Sequence, residues 1–275
     1  MRFLILFLTA ALAFSQPRIV STSPAITETL FALGAGDRVV GVSEYCHFPA
    51  EATKRPKIGS YLKPNVEAIL RLRPDLIVIE RLPGHALEQL KSSNVKVAQV
   101  TYGDVAANLR TIEQIAAATN RVEAGRDLTA KVTEALKQVE TGAKGRQPRS
   151  VIFLVGRTPG HLDGMVAVGK GSYLNELIAM AGGRNLLADS VVSYPKVSLE
   201  GVVRLKPDVL IDMGDMADTI GVTDEHKRSV VALWKSRPDI PSRVYAVASD
   251  IFVVPGPRMA EAAREFFRLI HGENK

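Results

Sequence analysis

The chain has 275 residues, 46% of them hydrophobic, 23% charged and 6% aromatic, with a net charge of +6. That length and balance exclude a disordered chain and leave room for two domains with sizeable cores. Lysines and arginines are scattered, without a basic stripe or interleaved stacking residues, which excludes a nucleic-acid reader.

The chain opens MRFLILFLTAALAFSQ: a basic start at Arg2, an apolar run from Phe3 to Phe14, then small residues in A-x-A-like positions. The pattern predicts a secretory signal peptide over residues 1–16. Its apolar run, about 12 residues, falls short of the roughly 20 that span a bilayer. Cys46 is the only cysteine, so no intramolecular disulfide can form. No cysteine follows the signal to take a lipid anchor, so the mature protein is expected free in the periplasm.

RIVST (18–22) then predicts a buried strand, followed by a helix from Ser23, with Pro24 at its first position, to near Gly34. In NVEAILRLRPDLIVI (65–79), Asn65 is a helix N-cap and Glu67 lies in the first turn, where a carboxylate suits the dipole. Pro74 stops that helix and LIVI begins a strand. VKVAQV (95–100) predicts another. From Arg121 to Thr141 there is no proline, and Leu128, Val132, Leu136 and Val139 mark one helical face. A helix of that length spans about 33 Å. GAKGRQP (142–148) ends it.

The second half repeats the first. SVIFLV (150–155) and RVYAV (243–247) predict strands, and a helix runs from Ser172 to Met180 before Gly182 and Gly183. SLEGVVRLKPDVLID (198–212) restates 65–79, with Ser198 as N-cap and Glu67/Glu200, Arg71/Arg204, Leu72/Leu205, Pro74/Pro207 and Asp75/Asp208 matched. ETLFALG and NELIAMAG align Glu28 with Glu176 and Gly34 with Gly182. Alternating strands and helices imply an α/β fold: two Rossmann-like lobes with parallel sheets, joined by one long helix. The expected lobes cover 17–120 and 146–275, with the connecting helix over 121–145.

RIVSTSPAITETLFALGAGDRVVGVSEYCHFP, followed by KIGSYLKPNVEAILRLRPDLIV, resembles the helical-backbone (class III) periplasmic solute-binding proteins of ABC importers, most nearly their vitamin B12 (cobalamin) branch. The resemblance covers essentially the whole mature chain. It implies a monomer that binds a corrinoid between its lobes and delivers it to a permease dimer with its ATPase. It also implies that Glu67 and Glu200, one per lobe, pair with permease arginines. Each is equally a first-turn glutamate serving its own helix dipole.

The cleft is expected at the carboxyl ends of the strands. The N-terminal lobe offers Ser23, Pro24 and Ala25 after the first strand, with Tyr45 and Tyr61 in later loops. The resemblance implies that these tyrosines contact the corrin, although the family often has tryptophan where Tyr61 stands. In the C-terminal lobe GRTPGHLDG (156–164) offers Arg157, and Tyr194 lies six residues before Glu200, as Tyr61 does before Glu67. ASDIFVVPGPR supplies Asp250, Phe252 and Arg258; the resemblance places the first two near the ligand, and Arg258 is either a ligand contact or a capping or ion-pairing residue. His47, His85, His161, His226 and His271 have no zinc spacing, and no G-x-S-x-G, P-loop or GxGxxG is present. Neither a resident metal or cofactor nor catalysis is expected. His47, beside Cys46 and Tyr45, is open to two readings, an axial ligand to a bound metal or a solvated loop histidine. Ferric siderophore or haem remain alternative ligands, and an exported enzyme on the same scaffold is the alternative from another class.

Overall fold

The computed structural model describes residues 16–81, 85–214, 223–240 and 242–272, so the expected signal peptide lies outside the described residues except for Gln16. The N-terminal lobe runs β1 (Ile19–Ser21), α1 (Pro24–Ala32), β2 (Val39–Val42), α2 (Ala50–Thr53), α3 (Val66–Arg71), β3 (Leu76–Glu80), α4 (His85–Ser92), β4 (Lys96–Val100) and α5 (Val105–Ala118). Its four strands are parallel, in the order β2-β1-β3-β4. Helix α6 (Val122–Ala143) follows, 22 residues long. The C-terminal lobe runs β5 (Arg149–Gly156), β6 (Val166–Ala167), α7 (Tyr173–Met180), β7 (Gly183–Asn185), α8 (Leu199–Leu205), β8 (Val209–Asp212), α9 (Asp224–Lys235), β9 (Arg243–Ala246) and α10 (Met259–His271).

The second sheet has the order β6-β5-β8-β9, with β7 also paired to β5. It departs from the all-parallel expectation at β6, which runs antiparallel to β5. The loop after β5 folds straight back on that strand, and two adjoining strands joined by a short connection can only pair antiparallel.

The repeated segments form the same device twice. The Asn65 side chain accepts from Ala68 N–H at 3.0 Å, and Ser198 from Gly201 N–H at 3.1 Å, capping α3 and α8. Each helix ends with a residue in the left-handed region, Arg73 at φ 47° and Lys206 at φ 48°, because the following proline excludes the helical region there. The aspartate after each proline accepts from the backbone N–H at the start of the neighbouring strand: Asp75 from Arg18 and Asp208 from Ser150, both at 2.7 Å. Ser150 Oγ also donates to Asp208 at 2.7 Å. The turn therefore docks strand to strand and starts the register of β3 on β1 and of β8 on β5.

Helix α6 lies against α5, α7 and α10. At Gly125 it approaches α5 so closely that a Cβ would overlap the Ala116 methyl. Its apolar face, Val132, Leu136 and Val139, joins one core with Val105 and Ile112 of α5 and with Phe153 and Phe266 of the C-terminal lobe. Leu128 packs against this core and against the separate core of the N-terminal lobe.

The hydrogen bonds from Ser150 hold the Asp208 carboxyl below its usual range. A depressed folded-state value stabilises above the unfolded pKa of about 3.9 and is lost as pH falls through the folded value. Asp208→Ala is expected to cost about 1 kcal/mol at neutral pH, discounted for the exposure of the carboxylate. Urea unfolding of the two proteins should converge as pH falls below about 4.

Candidate ligand-binding site

Eight large hydrophobic residues stand exposed among the described residues, and seven of them lie on two short stretches: Tyr45, Phe48, Tyr61 and Leu62 in the N-terminal lobe, and Val191, Val192 and Tyr194 in the C-terminal lobe. Local structure explains their exposure. Beyond β2 the chain turns Cys46 inward, where its Sγ lies 3.1 Å from Thr27 Oγ1 and 3.3 Å from Ser43 Oγ. That anchor points Tyr45 outward. Burial pushes the Cys46 thiol up, only partly offset by those hydroxyls, so it stays protonated and inert. Gly59 at φ 86° and the bridge between Gly59 and Pro64 pinch residues 60–63 into a tight loop. The loop presents Tyr61 edge-on to Tyr45, with ring centroids 6.1 Å apart and planes at 72°. In the other lobe the Tyr194 hydroxyl meets Ser172 Oγ at 3.2 Å, and Ser172 in turn caps α7.

The charged candidates lie elsewhere. Arg157, expected as a ligand contact, is buried; its Nε donates to Asp212 at 2.8 Å and its Nη1 to the carbonyls of Thr158 and His161. Asp212 also accepts from Trp234 Nε1 and Gly214 N–H, both at 2.6 Å. Arg157 is thus an internal strut, because a buried guanidinium demands a buried partner and this one closes an inner network. Phe252 is likewise not a cleft aromatic. It is 1% exposed, with its ring 5.4 Å from Phe153 and 5.0 Å from Phe266, and its carbonyl accepts from the buried Tyr173 hydroxyl at 2.9 Å. Apolar burial outweighed its position in a loop beside polar residues.

Arg258 resolves in favour of ion pairing. Its Nε and Nη2 fork onto Glu28 of the other lobe at 2.9 and 2.5 Å, and Nη2 also reaches Asp250 at 3.0 Å. The guanidinium sits 4.0 Å from the centre of the Phe48 ring. Ser23 and Ala25, also expected to face ligand, are buried, and Pro24 is half-buried. Ala25 lies under the Gly256 turn of the opposite lobe: a Cβ on Gly256 would stand 3.6 Å from the Ala25 Cα. This stretch belongs to the seam between lobes. Ser23 Oγ is buried there without a hydrogen-bond partner.

Burial raises Glu28 despite Arg258 and raises Glu80. Burial, with Glu80 and Glu28 nearby, puts the Tyr102 phenol well above its ordinary value. Burial and the Lys57 ammonium hold His47 below the usual imidazole range against the pull of Asp250, so it is neutral at pH 7. Among the described residues no group of three or more His, Cys, Asp or Glu side chains could hold a metal ion; the His85 side chain lies outside them. Glu67 and Glu200 are exposed at the starts of α3 and α8. Glu67 pairs with Arg71 at 2.6 Å, whereas hydrogen bonds from its own N–H and from Ser198 hold Glu200 below the usual carboxylate range.

Sequence reasoning missed Glu28, Phe48, Asp212 and Trp234. Glu28 had a signal: it is a lone carboxylate inside the apolar run of α1, matched by Glu176 in the repeat.

The family model described as periplasmic binding protein matches residues 19–232. The chain belongs to that family. Its members are substrate-binding proteins rather than enzymes. Curated relatives include the vitamin B12-binding protein of Pectobacterium atrosepticum, 30% identical over 95% of this chain and 90% of that one, and that of Salmonella typhimurium, 30% identical over 95% and 92%. Among solved structures, the vitamin B12 binding protein BtuF of Vibrio cholerae is 25% identical with a TM-score of 0.76, covering 93% of this chain and 96% of that one. The apo periplasmic heme-binding protein RhuT from Roseiflexus sp. RS-1 is 28% identical with a TM-score of 0.78, covering 93% and 100%.

Two truncations separate core from surface. Phe252→Ala is expected to lower stability by about 3–5 kcal/mol. Tyr61→Ala should stay within about 0.5 kcal/mol of wild type. Equilibrium urea unfolding distinguishes them; equal losses would mean that Tyr61 is part of the core.

Proposed function

We propose that this protein is the periplasmic substrate-binding component of an ABC importer and that its ligand is a corrinoid held between the lobes. The observation that carries the reading is the concentration of exposed apolar side chains on loops of both lobes, while Arg157 and Arg258 are consumed by carboxylates. A bulky ring with an apolar body and an amide-bearing rim suits tyrosines, which give an apolar face and a polar tip. An anionic chelate requires free guanidinium groups, and Arg157 and Arg258 are both paired. The vitamin B12-binding relatives point the same way.

Delivery follows docking on a permease dimer with its ATPase. Glu67 and Glu200 stand at matched exposed positions, so a two-fold permease can offer each the same arginine. Such carboxylates set orientation more than affinity. The protein works as a monomer without a cofactor of its own. Haem is the second reading, favoured by RhuT and by the neutral His47 beside Tyr45.

Titrating the mature protein with cyanocobalamin, haemin and a ferric catecholate, followed by absorbance and heat, tests the assignment. Cyanocobalamin is expected to bind, and Tyr61→Ala or Tyr194→Ala should each weaken it about tenfold. Binding of haemin alone refutes the corrinoid. In transport assays, Glu67→Lys with Glu200→Lys is expected to abolish uptake with ligand affinity within about twofold of wild type; uptake at the wild-type rate would remove the docking role.

A further inference from the structure

The two lobes exchange contacts in a reciprocal way. Helix α1 opens the N-terminal lobe and its counterpart α7 opens the C-terminal lobe; α5 and α10 are the closing helices. Glu28 on α1 crosses to Arg258, the residue that precedes α10. Glu176 on α7 crosses the other way and accepts from the N–H of Val105, the first residue of α5, at 3.0 Å. Each glutamate of the matched pair thus reaches the start of the other lobe's closing helix, where the dipole favours a carboxylate.

The two crossings differ in strength. At Glu28 the side chains are 3% and 13% exposed, the fork is bidentate, and Asp250 and Phe48 complete the cage. Among the described residues Glu176 makes a single hydrogen bond, to backbone, and it is half-buried. The residues beside the strong crossing carry the proposed site: Phe48 is three residues from Tyr45, and Asp250 pairs with Arg258 on the rim of the C-terminal lobe. A buried ion pair contributes little net stability compared with apolar packing, and one attested use is to specify a unique arrangement.

We propose that Glu28 and Glu176 are positioning residues of the ligand cleft. Glu28, through Arg258, is the fixed pivot between the lobes, and the Glu176–Val105 contact is a latch that yields when the cleft opens. Neither touches ligand. The assignment rests on the reading that ligand sits between the lobes, but the lobe geometry can be measured without ligand.

Spin labels on Glu88→Cys of α4 and Glu225→Cys of α9, both exposed, report the inter-lobe distance, since Cys46 is buried and stays unlabelled. Wild type should give one narrow distribution. Glu28→Gln should broaden it and raise the dissociation constant for cyanocobalamin at least tenfold. Glu176→Gln should shift it toward longer distances with a faster association rate. Tyr61→Ala, which loses ligand by direct contact, should keep it narrow. The charge swap Glu28→Arg with Arg258→Glu should recover part of the narrowness, which a purely structural loss would not. A distribution as narrow as wild type in folded Glu28→Gln, together with an unshifted one in Glu176→Gln, overturns the proposal. If Glu28→Gln does not fold, Glu176→Gln decides alone: an unchanged distribution refutes the latch and a lengthened one sustains it. Failure of wild type to bind cyanocobalamin defeats the corrinoid reading and leaves the distance result standing.

Discussion

The whole architecture depends on one apolar seam that ignores the boundary between lobes. Val132, Leu136 and Val139 of α6 share a core with α5 on one side and with Phe153 and Phe266 on the other, and Leu128 reaches into both lobes. Flexible crossings would let two such lobes swing widely. Here wide opening would expose that core to water, at roughly 25 cal/mol for each Å². That seam favours small rocking around a rod, the shear end of the range of domain motions, over wide hinge opening. On the proposed reading, a site between the lobes is largely formed before ligand arrives.

Within that frame the proposed site combines two decisions. Tyrosines and aliphatics are left on open loops, which costs solubility and is tolerated where a ligand covers them. Two arginines of the C-terminal lobe are withdrawn from solvent. Arg157 is closed into the interior by Asp212, and Arg258 is shared between Glu28 and Asp250. On the proposed reading, a surface of tyrosines and aliphatics, with these two arginines neutralised, selects by shape and rim hydrogen bonds.

Much of the fold was legible because it is local. The caps at Asn65 and Ser198, the proline stops and the buried strands depend on neighbours within a few residues, and the repeat wrote them twice. Helix α6 was legible from its 3.6-residue stripe. The fold-back of β6 was not, since GRTPGHLDG signals a loop without saying where the chain returns. Site residues divided on the same principle. Tyr45, Tyr61 and Tyr194 sit on exposed loops, as expected of tyrosines among glycines and prolines. Arg157 and Phe252 also sit beside loop signals, but what buries them comes from residues distant in sequence: Asp212 and Trp234 for the first, Phe153 and Phe266 for the second. Arg258 finds its main partner 230 residues away, a distance over which no periodicity speaks.

The crossed glutamates have the form of an isologous contact, in which a patch on one subunit meets its own copy on another. A single ancestral lobe that carried one such glutamate could have paired with its twin, but only at a concentration that favoured dimers. Joining the copies through a helical rod makes that encounter unimolecular, with a high effective concentration. Within one chain the two contacts need not be identical, and they are not: one carboxylate meets an arginine, the other a main-chain amide.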